Sequence, residues 1–333
     1  MPNPIRAGLS HTPLRLAALL AVAVIASGSW LLTCGAWRYA RVVAGYAPLA
    51  PREFAGLTAV AVGTGGAYEN PSRRGPCLAI GLGARVVLVD AGRGVAEGLR
   101  AAEIPVSQPE AIFLTHLFPE NTVGLDDLLH AAWLDSRRDP LRLVGPPGTR
   151  ALVQGLLAAH QVGQAAAAEG LGLAPPAGFE VEELTGDWSE TRGELAVRAA
   201  PLGGGPTPAL AWRFEAHGRS LVVSGTGWAP DALVAFARGA DLLVHEASFS
   251  LSGPQARALA DEDPARAARL ARETALHTSV EAVGALAVRA GVGTLALVRL
   301  RPPPVYDLQL TSLVGGRFAG RVLVLSDGDS VTP

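Results

Sequence analysis

The chain contains no lysine, and all 28 of its cationic side chains are arginines. Schiff-base chemistry and catalysis by a lysine base are therefore excluded. The formal net charge is −2, so the sequence also lacks the cationic excess with which proteins neutralise nucleic-acid phosphates. We expect no nucleic-acid partner.

Cysteine and charged residues are scarce as well. The two cysteines, Cys34 and Cys77, lie far apart, which excludes a disulfide framework and a thiolate zinc site of three or four clustered ligands. Charged residues make up 17% of the chain and hydrophobic residues 49%. A membrane segment would help to explain so apolar a composition.

A long uncharged segment lies near the N-terminus. Leu16–Trp37 contains no charged residue, and at about 1.5 Å per residue a helix of this length would cover roughly 33 Å, enough to cross a bilayer. A cleaved signal peptide with its apolar region over Leu16–Ala26 is the alternative. We expect residues 1–15 to form a tail, residues 16–37 a transmembrane anchor and residues 38–55 a linker. Such an anchor favours a bacterial inner-membrane protein whose main domain lies on the periplasmic side.

From Leu57 onward, apolar runs with strand character alternate with segments of helical spacing. The predicted strands are Leu57–Val62, Cys77–Gly81, Arg85–Val89, Ala111–Leu114, Leu141–Val144, Glu194–Ala199, Ala209–Glu215, Leu221–Ser224, Leu242–Val244, Thr294–Val298 and Arg321–Leu325. The predicted helices are Gly94–Ala102, Leu125–Leu134, Arg150–His160, Asp231–Arg238 and Ser279–Ala290. Residues 161–178, rich in Ala, Gly and Pro, are expected to form a loop or a loosely helical insertion. Two strand-rich halves with helices predict two sheets packed face to face.

One loop carries a family resemblance. The segment Thr115-His116-Leu117-Phe118-Pro119-Glu120-Asn121, followed by Gly124-Leu125, resembles the T-H-x-H-x-D-H and G-L loop of the metallo-β-lactamase superfamily, in its ribonuclease Z and arylsulfatase-like branch. Further segments resemble that family in the same order, at 63–66, 89–94, 140–149, 224–225, 239–247, 277–279 and 326–328. The resemblance implies an α/β (α+β) fold, a four-layer αβ/βα sandwich over residues 56–333, preceded by the N-terminal transmembrane helix.

The resemblance also implies a particular chemistry. The family uses two metal ions that share a hydroxide and are held mainly by imidazole and carboxylate ligands. His116 matches the first histidine of the loop, Glu120 matches its aspartate, and Asp90 ends a strand near the site. The other ligand positions carry residues that suit a metal poorly, namely Phe118, Asn121, Gly203 (within the run 203–205), Thr226 and Arg299. We therefore expect no metal cofactor, with His116, Glu120 and Asp90 as the residual metal-ligand candidates.

Arg299 is the most unusual replacement, because a guanidinium repels a metal ion. One hypothesis is a bidentate pair between Arg299 and Glu120 in the vacated site, since a buried carboxylate needs a partner. The alternative is a surface arginine on a strand that has diverged.

The remaining candidates have structural alternatives. His245 and Glu246 match a family segment in which the histidine stabilises or protonates the reacting group, so the resemblance makes them catalytic candidates, with a purely structural hydrogen bond as the alternative. His277 is explained by a helix N-cap and Asp90 by a turn. Phe118 and Trp228 could line an apolar pocket for a small-molecule or lipid-like ligand.

Two functions follow from these expectations. The first is a membrane-anchored, non-catalytic member of the superfamily, a pseudoenzyme that keeps the fold for binding or assembly with a protein or small molecule. The second is a metal-dependent hydrolase of ester or phosphodiester bonds with an atypical or mononuclear zinc site. Fold alone does not decide between them, because the site residues are what differ.

Overall fold

A computed structural model describes residues 12–66, 72–249, 253–301 and 307–333. The chain divides into an N-terminal unit that ends at Pro48 and a larger unit that begins at Leu49. The N-terminal unit contains one helix, α1 (Thr12–Tyr46). Its segment Leu20–Val43 is long and apolar enough to cross a membrane, with a mean hydropathy of 1.6 and none of it buried. A signal sequence would meet the same criteria of length and composition.

Helix α1 continues beyond the segment that we expected to end it. Residues 38–46, assigned to a linker by the sequence, are helical. Arginine is a good helix former, so Arg38 and Arg41 do not stop the helix although they end the uncharged run.

The larger unit is built from fourteen strands among the described residues. They are β1 (Phe54–Gly63), β2 (Cys77–Gly83), β3 (Arg85–Val89), β4 (Ala111–Phe113), β5 (Leu141–Gly145), β6 (Phe179–Glu183), β7 (Trp188–Arg192), β8 (Leu195–Leu202), β9 (Ala209–Ala216), β10 (Arg219–Ser224), β11 (Leu242–Ser248), β12 (Thr294–Arg301), β13 (Arg321–Val324) and β14 (Ser330–Val331). They form two mixed sheets in the orders β14-β1-β2-β3-β4-β5-β6 and β13-β12-β11-β10-β9-β8-β7.

The helices of this unit lie between and after the strands. They are α2 (Val95–Ala101), α3 (Pro119–Thr122), α4 (Leu125–Leu134), α5 (Thr149–Leu171), α6 (Pro230–Phe236), α7 (Gly253–Leu259), α8 (Pro264–Ala275), α9 (Val280–Ala290) and α10 (Asp307–Gly315).

Alternating side chains of the strands build two kinds of core. In β1, Leu57 and Ala59 point into the core between the sheets, whereas Val60 and Val62 point to the helices outside the first sheet. This follows from the two-residue period of a strand. Because both faces of each sheet are covered, the central strands are apolar along their whole length instead of alternating with polar residues.

Helices cover the outer faces of both sheets. Leu99 of α2, Leu125 of α4 and Val153 of α5 pack on the first sheet, while Val283 of α9 and Leu310 of α10 pack on the second. The layers are therefore helix, sheet, sheet and helix, which confirms the four-layer sandwich expected from the sequence.

Two local predictions need correction. Residues 161–171, expected in a loop or a loosely helical insertion, continue the regular helix α5 as far as Leu171. A run of alanines with strong helix propensity outweighs the glycines within it. The strands β6 and β7 were not predicted, because their sequences, FEVEE and WSETR, are polar and lie half-exposed at sheet edges.

Candidate functional site

The carboxyl ends of several parallel strands meet at one edge of the sandwich. Strands β3 and β4 are parallel neighbours in the first sheet, and β10, β11 and β12 are parallel neighbours in the second. Two backbone hydrogen bonds link the sheets there, from Leu210 N to Thr115 O at 2.7 Å and from Arg299 N to Thr64 O at 2.8 Å. Side chains that follow these strands are thereby brought together from distant parts of the chain.

A buried carboxylate is the centre of a first group. Asp90, directly after β3, is only 1% exposed. It accepts hydrogen bonds from Thr115 N at 2.7 Å and from Thr115 Oγ1 at 2.8 Å, and Asn121 Nδ2 donates to it at 3.2 Å. Burial raises the pKa of the Asp90 carboxyl, while the nearby guanidinium and the Thr115 donors act in the opposite direction.

Arg299 supplies the positive charge of this group. Its Nη2 pairs with Asp90 Oδ2, and its Nη1 donates to the Gly225 carbonyl at 3.0 Å. A Cβ at position 225 would lie 2.3 Å from Thr115 Oγ1 and 2.9 Å from Arg299 Nη1. Glycine at 225 therefore lets the guanidinium approach the backbone closely.

The backbone at both ends of this ion pair is strained. Asp90 has φ 62° and Arg299 has φ 52°, in the left-handed region that L-residues seldom adopt. Such a conformation persists only where the surroundings hold it in place. Here each residue is fixed by a backbone hydrogen bond, from Asp90 N to Phe113 O and from Arg299 N to Thr64 O, as well as by the ion pair.

His116 completes what we name the Asp90 cluster, which consists of Asp90, Thr115, His116, Asn121 and Arg299. Its Nδ1 lies 3.0 Å from Asn121 Nδ2 and 2.9 Å from Thr115 Oγ1. Asn121 Nδ2 also donates to Thr115 Oγ1 at 3.0 Å. The imidazole Nδ1 therefore has a donor in the amide and an acceptor in the hydroxyl within hydrogen-bond distance, so that either neutral tautomer satisfies it.

Burial keeps His116 in that neutral form. Burial, reinforced by the charges of Arg299 and His277, lowers the pKa of His116 to about 3. The Asn121 carbonyl oxygen Oδ1 is buried and has no hydrogen-bond partner among the described residues.

Two aromatic rings cover His116. The ring centroids of Phe118 and Trp228 lie 5.0 and 5.5 Å from that of His116 and 5.6 Å from each other. The indole Nε1 donates to Leu276 O at 2.8 Å. A Cβ at Gly205 would lie 1.8 Å from Cε3 of Trp228, so the indole fills the space that a side chain at 205 would need.

A second buried carboxylate organises the neighbouring group, the Glu246 cluster of His245, Glu246, His277 and Thr278. Glu246, 1% exposed, pairs with Nδ1 of His277. His245 is fully buried, with Nε2 at 2.9 Å from Thr278 Oγ1 and Nδ1 at 3.3 Å from Ser224 O. All polar groups of the His245 ring are therefore used inside the protein.

The Glu246 cluster is suited to hold and move a proton. Burial raises the pKa of Glu246, but the hydrogen bond and charge of His277 outweigh burial, so the pKa is lowered overall. Burial also lowers the pKa of His245. His277 is 17% exposed, so a carboxylate orients its ring at Nδ1 while part of the ring reaches solvent, an arrangement typical of general acids and bases.

Comparison with known proteins places this site in a family. The model of the family described as "Beta-lactamase superfamily domain" matches residues 85–298. The chain belongs to the beta-lactamase superfamily. Its curated relatives include Ribonuclease Z of Mycobacterium bovis, 33% identical over 277 residues that cover 80% of this chain and 94% of the relative. Ribonuclease Z of Mycolicibacterium paratuberculosis is 34% identical over 272 residues, covering 78% and 92%.

Solved structures have the same fold. The metallo-beta-lactamase fold protein YhfI from Bacillus subtilis superimposes with a TM-score of 0.64 at 19% identity, covering 83% of this chain and 98% of that one. The short form of human tRNase Z has a TM-score of 0.59 at 19% identity, covering 83% and 99%. The Zn2+-bound PqqB from Methylobacterium extorquens has a TM-score of 0.59 at 16% identity, covering 83% and 100%. At such identities the likeness establishes the fold alone.

The side chains at this edge do not suit the metal ions that the superfamily resemblance implies. His116 offers a single imidazole, Phe118 has no lone pair, and Arg299 places a permanent cation beside the carboxylate. The unpartnered Oδ1 of Asn121 is one neutral oxygen, whereas zinc needs three or four donors, chiefly nitrogen, sulfur or carboxylate oxygen. Within the described ranges, no group of three or more His, Cys, Asp or Glu residues is arranged to hold a metal.

The hypothesis of a bidentate pair between Arg299 and Glu120 is wrong, because Arg299 pairs with Asp90 instead. Both terminal nitrogens of the guanidinium are bonded elsewhere, to Asp90 and to Gly225. Glu120 lies half-buried on the short helix α3. The alternative of a surface arginine is wrong too, because Arg299 is 9% exposed.

Other candidates are placed as follows. Ser279, not His277, is the N-cap of α9, since its side chain accepts from Ala282 N at 3.1 Å. Thr226 lies in a local turn, where its hydroxyl oxygen accepts a hydrogen bond from Trp228 N at 3.3 Å. The catalytic roles of His245 and Glu246, and a ligand at Phe118 and Trp228, stay predictions.

Three further residues make structural contacts at the site, and the sequence had predicted no role for them. Thr115 joins Asp90 to His116, Thr278 joins His245 to Glu246, and Cys77 packs near the ion pair. Burial, with a further contribution from the charge of Asp90, raises the pKa of the Cys77 thiol well above its ordinary value, so Cys77 is no nucleophile. Both threonines lie inside segments that resemble the family, and this resemblance was the signal that could have identified them.

Proposed function

We propose that the chain is a non-hydrolytic member of the superfamily, which keeps the fold of its ribonuclease Z relatives for binding or assembly. The observation that carries the proposal is the Arg299 guanidinium on the Asp90 carboxylate. A metal-bound hydroxide needs cations with open positions in this region, and a guanidinium is a cation that can neither bind water as a Lewis acid nor tolerate a divalent ion beside it.

The aromatic rings support the same proposal. Trp228 and Phe118 occupy the space around His116, and Trp228 also blocks any side chain at Gly205. A side chain introduced at 205, the last glycine of the run 203–205, would require the indole to move first.

We propose further that α1 tethers the domain to a membrane, in a bacterial cell with the domain on the periplasmic side. The apolar segment Leu20–Val43 supports a tether by its length and hydropathy. A cleaved signal sequence remains the competing outcome of the test.

The second candidate function is a metal-dependent hydrolase of phosphodiester or ester bonds, with zinc in an atypical site. Two observations favour it. Ribonuclease Z relatives are 33% identical over most of their length, and the Glu246 cluster forms a buried proton-transfer group of the kind that a hydrolase uses to protonate a leaving group.

Metal content and turnover distinguish the two candidates. The full chain, purified in detergent and supplied with zinc or manganese, is dialysed and analysed for bound metal, then assayed on bis(p-nitrophenyl) phosphate, p-nitrophenyl sulfate, a chromogenic β-lactam and an RNA with a 3′ extension. The Mycobacterium bovis ribonuclease Z serves as the positive control. We expect substoichiometric metal and background rates. Stoichiometric metal together with turnover that His116→Ala abolishes would establish the hydrolase instead.

The tether is tested separately. We expect the full chain to stay in the membrane pellet after alkaline carbonate washing, with its N-terminus intact and its domain digested by protease added to spheroplasts. Two arginines in mid-span, Val24→Arg with Leu31→Arg, cost about 3 kcal/mol each in insertion and should release the protein. Val162→Arg, at an exposed apolar position of α5 (83% exposed), is the matched control. An N-terminus beginning after Ala26 would indicate cleavage.

A further inference from the structure

Arg299 touches the ends of strands from both sheets. The residue itself belongs to β12, its Nη2 meets Asp90 after β3, and its Nη1 meets Gly225 after β10. Its backbone N donates to Thr64 O, just after β1, at 2.8 Å. One side chain thereby joins loops that are separated by as many as 209 positions in the sequence.

The charge at this point is held away from solvent. The side chains of Arg299 and Asp90 are 10% and 1% exposed. A buried carboxylate requires a positive partner, and removing one member of a buried pair leaves an uncompensated charge that strongly destabilises the fold. In a metal site the ion supplies that positive charge, and metal binding is then part of the folding free energy.

We propose that Arg299 is an internal cation that replaces a metal ion as the organiser of the strand ends, so that the folded state depends on the Arg299–Asp90 pair and is independent of divalent metal. The strained backbone at both residues supports this. Two left-handed residues meet at this one contact, and such a conformation persists only where its surroundings hold it in place.

This inference shares with the proposed function the residues of the Asp90 cluster, but it concerns stability rather than turnover. The two can therefore fail independently. Metal-dependent hydrolysis would overturn the proposed function, whereas the inference is overturned only by the thermal measurements below.

The test is a double-mutant cycle on the full chain in detergent, with the unfolding midpoint Tm followed by intrinsic tryptophan fluorescence. Arg299→Met keeps the length of the side chain and removes its charge, and Asp90→Asn removes the other charge. Each single variant should lower Tm by roughly 6–10 °C. The double variant should have a Tm no lower than that of the worse single variant, because the second substitution removes the buried charge that the first left without a partner. Neither EDTA nor zinc should move the wild-type Tm by more than about 1 °C.

A matched control separates burial from charge. Arg289 pairs with Asp231 on the surface, where the two side chains are 53% and 86% exposed. Arg289→Met should lower Tm by no more than about 1 °C.

Two outcomes would overturn the inference. Tm shifts of Arg299→Met and Asp90→Asn that simply add would mean that the two groups do not act as a pair, and a wild-type Tm that falls in EDTA would mean that a metal does the organising. Should Arg299→Met fail to fold, Arg299→Lys keeps the charge without the two-pronged geometry. Arg299→Lys should then give a folded protein whose Tm lies between those of the wild type and Asp90→Asn. A Tm equal to that of Asp90→Asn would count against the pair.

Discussion

The Asp90 cluster and the Glu246 cluster lie at the same edge of the fold and use similar parts, a buried carboxylate, a threonine and imidazole. They differ in the cation that meets the carboxylate. Asp90 meets a guanidinium that stays charged at every ordinary pH, whereas Glu246 meets an imidazole ring that is 17% exposed. The Asp90 carboxylate therefore faces a permanent cation, whereas the Glu246 carboxylate faces a side chain of the type that serves as a general acid or base.

This difference shows how a family site can change in parts. The segment Leu242–Ser248 is a buried central strand, so its residues serve the fold as well as the chemistry. Asp90, by contrast, directly follows β3, Asn121 lies in the four-residue helix α3, and Arg299 lies near the end of β12. The partners of Asp90 therefore come mostly from the ends of strands, whereas His245 and Glu246 lie within one.

The largest expected effect is that of acid on the Asp90 cluster, through His116. The folded-state pKa of His116, about 3, lies below the ordinary value, so the unfolded chain binds the proton more readily. The contribution of neutral His116 to the free energy of unfolding is complete above about pH 6.5. It is lost as pH falls toward 3, by roughly 4 kcal/mol. The measurement is urea unfolding from pH 7 to pH 3. His245, whose pKa is also lowered, adds a loss of the same sign.

The comparison variant for acid is His116→Gln, which cannot titrate. Its stability should vary less steeply with pH than that of the wild type. Equal slopes for both proteins would contradict the assignment of His116 as a buried neutral ring.

Gly205→Ala tests the packing of the Asp90 cluster. The new Cβ would lie 1.8 Å from the Trp228 ring, so the indole must move, at a cost of about 3 kcal/mol for overpacking. Gly203→Ala, in the same loop and with nothing within 4 Å of its Cβ, should change stability by under about 0.5 kcal/mol. Both are measured by chemical unfolding, with Trp228 fluorescence as a local probe, and equal stability of the two variants would count against the packing.

Glu246→Gln tests whether the second cluster depends on charge. Glutamine keeps the shape and loses the ionic hydrogen bond to His277, so unfolding should become easier by about 2 kcal/mol. Glu281→Gln, on the exposed first turn of α9, is the control and should be nearly neutral. The NMR signals of the His277 ring at neutral pH should move only in Glu246→Gln; unchanged signals would mean that the carboxylate does not contact this imidazole.

The smallest effect concerns an ion pair outside both clusters. His160 Nε2 lies 2.7 Å from Asp126 Oδ2, with side chains 48% and 27% exposed. Solvent screens such a pair, so Asp126→Asn should change stability by under about 0.5 kcal/mol at neutral pH. A larger loss in thermal unfolding would show that exposure is a poor guide to the strength of ion pairs in this protein.

Much of the fold was predictable because the strands are buried on both faces. Runs such as 57–62 and 242–244 are recognisable by their apolar, β-branched residues, and the order of the matched segments predicts the sandwich. The edge strands β6 and β7 were missed, because polar side chains on exposed edges carry no clear period. The extent of α5 was missed because alanine and glycine favour opposite structures in one segment.

The sequence by itself, through its resemblance to the superfamily, predicted that an arginine and a phenylalanine stand at metal-ligand positions. Tertiary structure alone decided what the replacements do. The partner of Arg299 is Asp90 rather than Glu120, because the partner is chosen by which strand ends converge at the edge of two sheets. His277 orients on Glu246 for the same reason, although the helix start beside it suggested a cap. Residue identity is local information, whereas the pairing of buried charges depends on how the whole chain packs.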